Sequence, residues 1–397
     1  MALINGTAGI DVLKGTTFAD KLYGGASADE IWADAGDDYA EGGDGNDTMH
    51  GGAGVDILKG GLADDVIYGE DGNDSLDGGY GNDRLYGGAG NNIMVGGDGN
   101  DWIEGSVGHD HILGDTGNDT IVAGAGRDYI DAGPGDDLIY AGAGDDGFQN
   151  EIDPATGKLT TQGVNGGAGN DTIYGEEGSD KLKGQSGDDK VFGGIGDDRV
   201  DGGDGNNILY GDAGNDILDS ENGIDRLYGG DGKDSLASGA GDDFLDGGKD
   251  ADWLSAEAGA DILYGGAGDD TLYGGDGADE LHGDDGFDKL MGDLGPDRLW
   301  GGAGADWFGF RGAGAFDGGD RIEDFEDGTD RIVLEKLGVS KYAAGGAAGT
   351  VFARDGANGN IFLDVVTSAG VKFSIDVADP TATLTAKNFS GADFVFA

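Results

Sequence analysis

One large apolar residue returns every nine residues, from Leu13 to Phe308, set among glycines and polar residues. The surrounding unit reads Gly-Gly-x-Gly-x-Asp-x-hydrophobic-x, as in Gly42-Gly43-Asp44-Gly45-Asn46-Asp47-Thr48-Met49-His50. Sixteen units fill 6–149 and sixteen more fill 166–309, separated by an interruption at 150–165. The eighth position is large and apolar in 31 of the 32 units, with Ala40 as the small substitute. The fourth is glycine in 28, and Phe18, Ser27, Ala63 and Asp250 are the departures. A short period held this strictly predicts a solenoid, in which each unit buries its apolar residue only against its neighbours. Six glycine-rich residues predict a tight turn, where backbone must take conformations barred to residues with a Cβ. The last three predict a short strand with positions seven and nine outward and eight inward. Two units then make one flattened coil, its strands on opposite sides of a thin apolar seam. The expected architecture is all-β, a parallel β-roll (β-solenoid) with a small β-rich C-terminal cap.

The polar residues carry the same period. The sixth position of the first run is Asp11, Asp20, Asp29, Asp38, Asp47, Asp56, Asp65, Asp74, Asp83, Asn92, Asp101, Asp110, Asp119, Asp128, Asp137 and Asp146. In the second run it is Asp171, Asp180, Asp189, Asp198, Asn207, Asp216, Asp225, Asp234, Asp243, Asp252, Asp261, Asp270, Asp279, Asp288, Asp297 and Asp306. A single Asp before a turn is ordinary turn chemistry. Thirty in phase go beyond that, because a two-unit coil stacks these carboxylates along one edge every 18 residues. Carboxylates with backbone carbonyls form a hard oxygen donor set that suits calcium, which takes 6–8 such ligands in flexible geometry. Asp47 and Asp65 with the glycine carbonyls of both turns make one such expected site, and Asn92 and Asn207 keep an oxygen. The gaps between turns on two edges set an upper limit of about 30 calcium ions.

Composition sharpens this picture. The net charge is -57, from 80 acidic and 23 basic residues. Such a balance excludes nucleic acid as a partner, since phosphate binding needs a basic footprint. Self-repulsion keeps an ion-free chain of this kind expanded, so calcium is expected to switch folding. With 89 glycines and 8% aromatic residues, a large three-dimensional core is not expected. There is no cysteine, hence no disulfide framework. The start, Met1-Ala2-Leu3-Ile4-Asn5, offers no cleavable secretory signal, and no transmembrane segment is visible.

These nonapeptides resemble the repeats-in-toxin (RTX), or hemolysin-type, repeat family over 6–309. The resemblance implies calcium-bound β-rolls on secreted bacterial proteins, carried by type I secretion machinery from a Gram-negative cell and folding outside it. From Phe310 the period ends. Segments 320–325 and 330–334 read as two short strands around a turn at 326–329, and 361–366 and 371–377 are further apolar runs. A cap over 310–397 would cover the last coil's open edge. Its wording resembles the C-terminal region of serralysin-type proteins, and Asp393-Phe394-Val395-Phe396-Ala397 looks like that family's export signal.

Catalytic motifs do not accompany the repeats. No His-Glu-x-x-His helix or Gly-x-Ser-x-Gly elbow occurs, and His109 and His111 read as exposed substitutions. The reading is therefore a non-enzymatic, secreted structural or adhesive protein of a biofilm matrix or surface layer, at the cell surface or beyond it. The alternative is the calcium-dependent tail of a secreted protease, lipase or epimerase. The interruption holds a plausible hairpin around 153–157, and its Asp153-Pro154 pair is a turn former before it is a cleavage site. One further pattern concerns position nine. On alternate units it reads Trp32, Tyr68, Tyr86, Tyr140, Tyr174, Phe192, Tyr210, Tyr228, Tyr264 and Trp300, whereas the intervening units hold only Tyr23 and Tyr273. A one-sided aromatic ladder points to lateral self-association or to contact with a cell-surface glycan, against simple stacking within the chain.

Overall fold

The computed structural model describes residues 1–147, 163–311, 319–337, 339–343, 347–356, 360–369, 372–378 and 384–396. The chain forms two compact units, Met1–Ile208 and Leu209–Ala397. Among the described residues the regular elements are strands, apart from a single 3₁₀ turn at Gly391–Asp393.

In the first unit each strand pairs in parallel with the strand two places on, so one coil is 18 residues. On one side Leu22 aligns with Ala40 and Ala40 with Leu58. On the other, Ile31 aligns with Met49 and Met49 with Ile67. The described eighth-position side chains point between the two sheets and are fully buried from Leu22 to Ile139 and from Ile173 to Val200. The alternation expected from the apolar period is therefore the one that folds.

The strands are longer than the apolar pattern alone suggests. Thr48–Gly54 and Ile57–Leu62 run through position nine into the glycines of the following unit, leaving only the middle of each unit for the turn. The ladder persists there because the glycine pairs still align, as Gly43 does with Gly61. Position two is left-handed. Gly43 has φ +116°, and a side chain on it would collide with the Gly25 carbonyl. Where that position is not glycine the backbone mostly keeps the same hand, with φ +75° at Glu70 and +79° at Gln185; Thr7, Thr16 and Glu221 depart from it.

The interruption enters the roll at a different point from the one the repeat arithmetic assigns. After Asp146 and Gly147 the chain re-forms the strand with Val164–Ala168, so that Asn165 aligns with Asp131 and Val164 with Leu182. Val164 fills the buried position that the repeat count gives to Phe148. The adjoining strands then pair across 34 residues, Tyr140 with Tyr174, and the roll's register survives. Phe148, the expected hairpin and Asp153-Pro154 lie outside the described residues.

The second unit is built from the same 18-residue coil and ends in further strands. Trp307–Arg311 pairs with Arg331–Glu335, which in turn pairs with Phe394–Phe396. Arg321–Ile322 extends the other sheet beneath Arg298–Leu299. The two segments expected to flank a turn thus lie on opposite sheets as further coil strands. An antiparallel meander, Thr350–Asp355, Ile361–Val366 and Lys372–Val377, lies beside them. Within the expected export signal Phe394–Phe396 form an edge strand, and Asp393 is buried in a capping box with Ser390.

The aromatic ladder is stacked. Trp32, His50, Tyr68 and Tyr86 succeed one another at 3.8, 4.8 and 4.8 Å with interplanar angles of 4–9°. In the second unit Tyr210 stacks on Tyr228 at 4.9 Å, Phe244 bridges to Tyr264, and His282 and Trp300 follow. Phe244 comes from position seven, and its ring fills the gap left by Asp246 at position nine. Arg298 closes this stack over Trp300 at 4.6 Å. Stacking within the chain occupies the ring faces and leaves mainly edges outward.

Candidate metal centre

Each sixth-position Asp stands where a strand begins, just after the turn, and its side chain is drawn inward by a backbone donor. The Asp47 N–H donates to Oδ1 of Asp65 at 2.7 Å, and the Asp65 N–H donates to Oδ1 of Asp83 at 2.7 Å. One carboxylate oxygen thus ties each coil to the one before it. The pairing crosses the interruption, from the Asp137 N–H to Asp171 and from the Asp146 N–H to Asp180. Two such ladders run along the first unit, one beginning at Asp11 and the other at Asp20.

The second oxygen has no such use. Oδ2 of Asp47, Asp56, Asp65, Asp128, Asp180 and Asp252 is buried without a hydrogen-bond partner, and the state recurs along both runs of repeats. Leaving a buried charge in that state is costly, so the fold demands a counter-charge. Beside Asp56 the space is set by the first glycine of the unit, whereas the unit of Asp128 begins with Ala123. A Cβ on Gly51 would lie 2.7 Å from Asp56 Oδ2 and 2.8 Å from the Gly69 carbonyl oxygen of the next coil. Oxygens of two coils therefore converge at Asp56 on a cradle kept open by a missing side chain. Among the described residues no three acidic or imidazole side chains gather, so backbone carbonyls must complete any cation shell. That donor set is all oxygen and fits calcium.

The electrostatics agree. Burial raises Asp47 to about 6, Asp56 to about 7 and Asp65 to about 8, and the flanking ladder carboxylates push in the same direction. Burial likewise lifts Asp128, Asp180 and Asp252 to about 8. The backbone N–H of the preceding coil opposes the rise and does not cancel it. Without cations those raised to about 8 would hold protons near neutral pH.

Four of the 32 sixth positions are built differently. Asp11 and Asp20 begin the ladders, and their Oδ2 atoms are taken by local donors, the N–H and hydroxyl of Thr7 and of Thr16. The Ala2 N–H and the Thr16 hydroxyl hold the Asp20 carboxyl below its ordinary range. At Asn92 and Asn207 the retained oxygen is Oδ1, which accepts the N–H of Asp74 and of Asp189 at 3.0 Å. Nitrogen, rather than the expected free oxygen, faces the cradle.

Two ladder members escape the nonapeptide count. Asp320 and Asp330 accept the N–H groups of Asp297 and Asp306 at 3.3 and 3.0 Å, carrying both edges into the C-terminal region. Their spacing of 23 and 24 residues breaks the period. The Asp-Arg-Ile wording at 320–322 and 330–332 still repeats the Asp-x-hydrophobic half of the unit and could have found them. Asp330 ends its ladder as Asp20 begins one, with Oδ2 accepting a local N–H, here from Glu326 at 2.7 Å. The two histidines sit apart from the carboxylate ladder: exposed His109 accepts the Arg127 N–H and His111 stacks on Tyr129.

RTX calcium-binding nonapeptide repeats match this sequence over 5–148 and 165–309, well over half its length. The chain belongs to the RTX calcium-binding nonapeptide repeat family. The RTX matches cover the two runs that carry the carboxylate ladders, and RTX repeats bind calcium. No curated protein matches the chain. Among solved structures, a solution structure of a subunit of the mannuronan C5-epimerase from Azotobacter vinelandii is 28% identical. The match covers 38% of this chain and 80% of that one, with a TM-score of 0.21. Among the described residues no helix is long and apolar enough to cross a membrane.

Proposed function

We propose that calcium ions occupy the cradles of the two ladders, and that the chain is a secreted structural or adhesive protein rather than an enzyme. On this reading it leaves a Gram-negative cell by type I secretion, folds on meeting extracellular calcium and associates with further copies in a biofilm matrix or surface layer. The observation that carries the calcium assignment is the row of buried Oδ2 atoms with no partner. Thirty sixth-position aspartates and two asparagines are thereby used for holding the fold, with no acid–base chemistry required of them. The ring edges of the aromatic stacks, and exposed Tyr80, Val107 and Ile195, favour a protein surface as the lateral partner. A sugar ring would seek aromatic faces, and those are spent within the chain.

A calcium titration of the full chain tests this, with circular dichroism for folding, light scattering for mass and electron microscopy for form. The expected result is β-structure gained with calcium, followed by a rise in mass and by ordered assemblies. A chain that is β-rich in chelator would remove the folding switch. A strict monomer at millimolar calcium would remove the assembly role and leave the calcium sites standing.

A further inference from the structure

We infer that Asn92 and Asn207 are cation-independent joints, at which a side-chain amide takes the place that calcium holds elsewhere in the ladders. The inference rests on the calcium reading of the aspartate cradles. It starts from a constraint on amide orientation. The N–H of Asp74 needs an acceptor, and Asn92 supplies Oδ1 at 3.0 Å; Asn207 does the same for Asp189 at 3.0 Å. In either residue the other amide atom is then the NH₂ group, which can only donate. It points where aspartates point Oδ2. A Cβ on Gly87 would lie 2.7 Å from Asn92 Nδ2 and 3.0 Å from the Gly105 carbonyl oxygen, the same cradle with nitrogen in place of oxygen. A Cβ on Gly202 would lie 3.0 Å from Asn207 Nδ2.

The NH₂ groups also satisfy carbonyls of the turn. Asn92 Nδ2 donates to Gly90 O at 3.3 Å, and Asn207 Nδ2 donates to Gly203 O and Gly205 O at 3.2 and 3.3 Å. A cation at either place would meet an NH₂ group where its carboxylate ligand should be, with turn carbonyls already engaged. The amide makes the coil-to-coil bond, donates to the turn carbonyls and adds no charge. Each ladder of the first unit contains one such residue, Asn92 in the series from Asp20 and Asn207 in the series from Asp11. Each series of like charges is thus divided once by a neutral link.

The test is hydrogen exchange read by mass spectrometry on the full chain at stepwise lower free calcium. Peptides 74–95 and 189–207 contain the joints, and 38–59 is an all-aspartate comparison. The expected result is that the joint peptides keep protection down to about fivefold lower calcium than 38–59, the factor set by one net hydrogen bond. Asn92→Asp should abolish the difference at 74–95 and leave it at 189–207, and Asp119→Asn should create one around 101–122. Equal calcium dependence of all peptides, unchanged by Asn92→Asp, would overturn the joints and leave the calcium sites intact. If no peptide responds to calcium, the calcium reading fails and the joints fail with it.

Discussion

Removing calcium at two pH values separates the cost of the naked carboxylate ladder from every other contribution to folding. In chelator near pH 7.5 the ladder must either carry buried charge or keep protons that the unfolded chain releases. Asp47, raised to about 6, then costs the fold about 3 kcal/mol, and Asp65, raised to about 8, about 5 kcal/mol, at ~1.4 kcal/mol for each unit of pKa. These groups interact, so their costs do not add fully. Asp56, Asp83, Asp119, Asp128, Asp171 and Asp180 are raised to about 7 or 8 as well. Even a fraction of the total exceeds the ~5–15 kcal/mol net stability of an ordinary domain. The folded-state values lie above the unfolded value of 3.8, so protons favour the fold. The penalty is absent below about pH 4, grows as pH rises through the window between the two values, and is complete above the folded value. At pH 5 it falls below about 2 kcal/mol for either residue, while the unfolded chain stays strongly anionic. Circular dichroism with light scattering as a check on aggregation should therefore show little β-structure in chelator at pH 7.5 and a clear gain at pH 5. With calcium present the sign reverses: protons compete for the same oxygens, and the calcium midpoint should rise on acidification. A stable β-roll in chelator at pH 7.5, or no gain at pH 5, would refute the electrostatic account.

Other perturbations probe the remaining layers of the design. Ile112→Ala removes a fully buried seam residue and should cost about 2–5 kcal/mol in denaturant unfolding of the calcium-loaded chain, with the loss centred on neighbouring coils. Gly43→Ala places a methyl against the Gly25 carbonyl at a positive φ and should destabilise by more than about 1 kcal/mol. Gln185→Gly, at φ +79°, should instead stabilise by about 0.5–1 kcal/mol in the same measurement. Tyr68→Ala breaks the stack with His50 and Tyr86 and should cost about 1–3 kcal/mol beyond the loss of buried area, with calcium stoichiometry by atomic emission unchanged.

Sequence and structure diverge where backbone pairing, rather than side-chain type, decides the outcome. The inward position was legible because strand alternation gives Leu22 or Ile112 one direction once a single face is apolar. Strand length was not, since Gly-Gly reads as a breaker when nothing shows that the neighbouring coil aligns Gly61 with Gly43. Phe148 fits the repeat count, yet the hydrogen-bond register awards its place to Val164, because a strand can resume wherever the chain returns to pair with Leu182. Asp320 and Asp330 dropped out of the count when spacing was weighted above the Asp-Arg-Ile wording. The amide direction at Asn92 was invisible in principle, since it depends on which atom the preceding coil's N–H selects.

That selection also explains why the sixth position is so restricted while its neighbour varies. At position five a second ladder runs the opposite way: the Asn100 N–H donates back to Asn82 Oδ1 at 2.9 Å, and the Asn118 N–H back to Asn100 Oδ1 at 2.8 Å. Where position five carries an acceptor, the turns are thus fastened forward through position six and backward through position five. The outer ladder is exposed and asks only for one acceptor, so His109 serves as well as an asparagine, accepting the Arg127 N–H at 2.7 Å. The inner ladder asks for two oxygens with different duties, one for a backbone donor and one for a buried cradle. Carboxylate is the short side chain that meets both demands once a cation or a proton offsets its buried charge, so on the proposed calcium reading ion binding and folding are coupled.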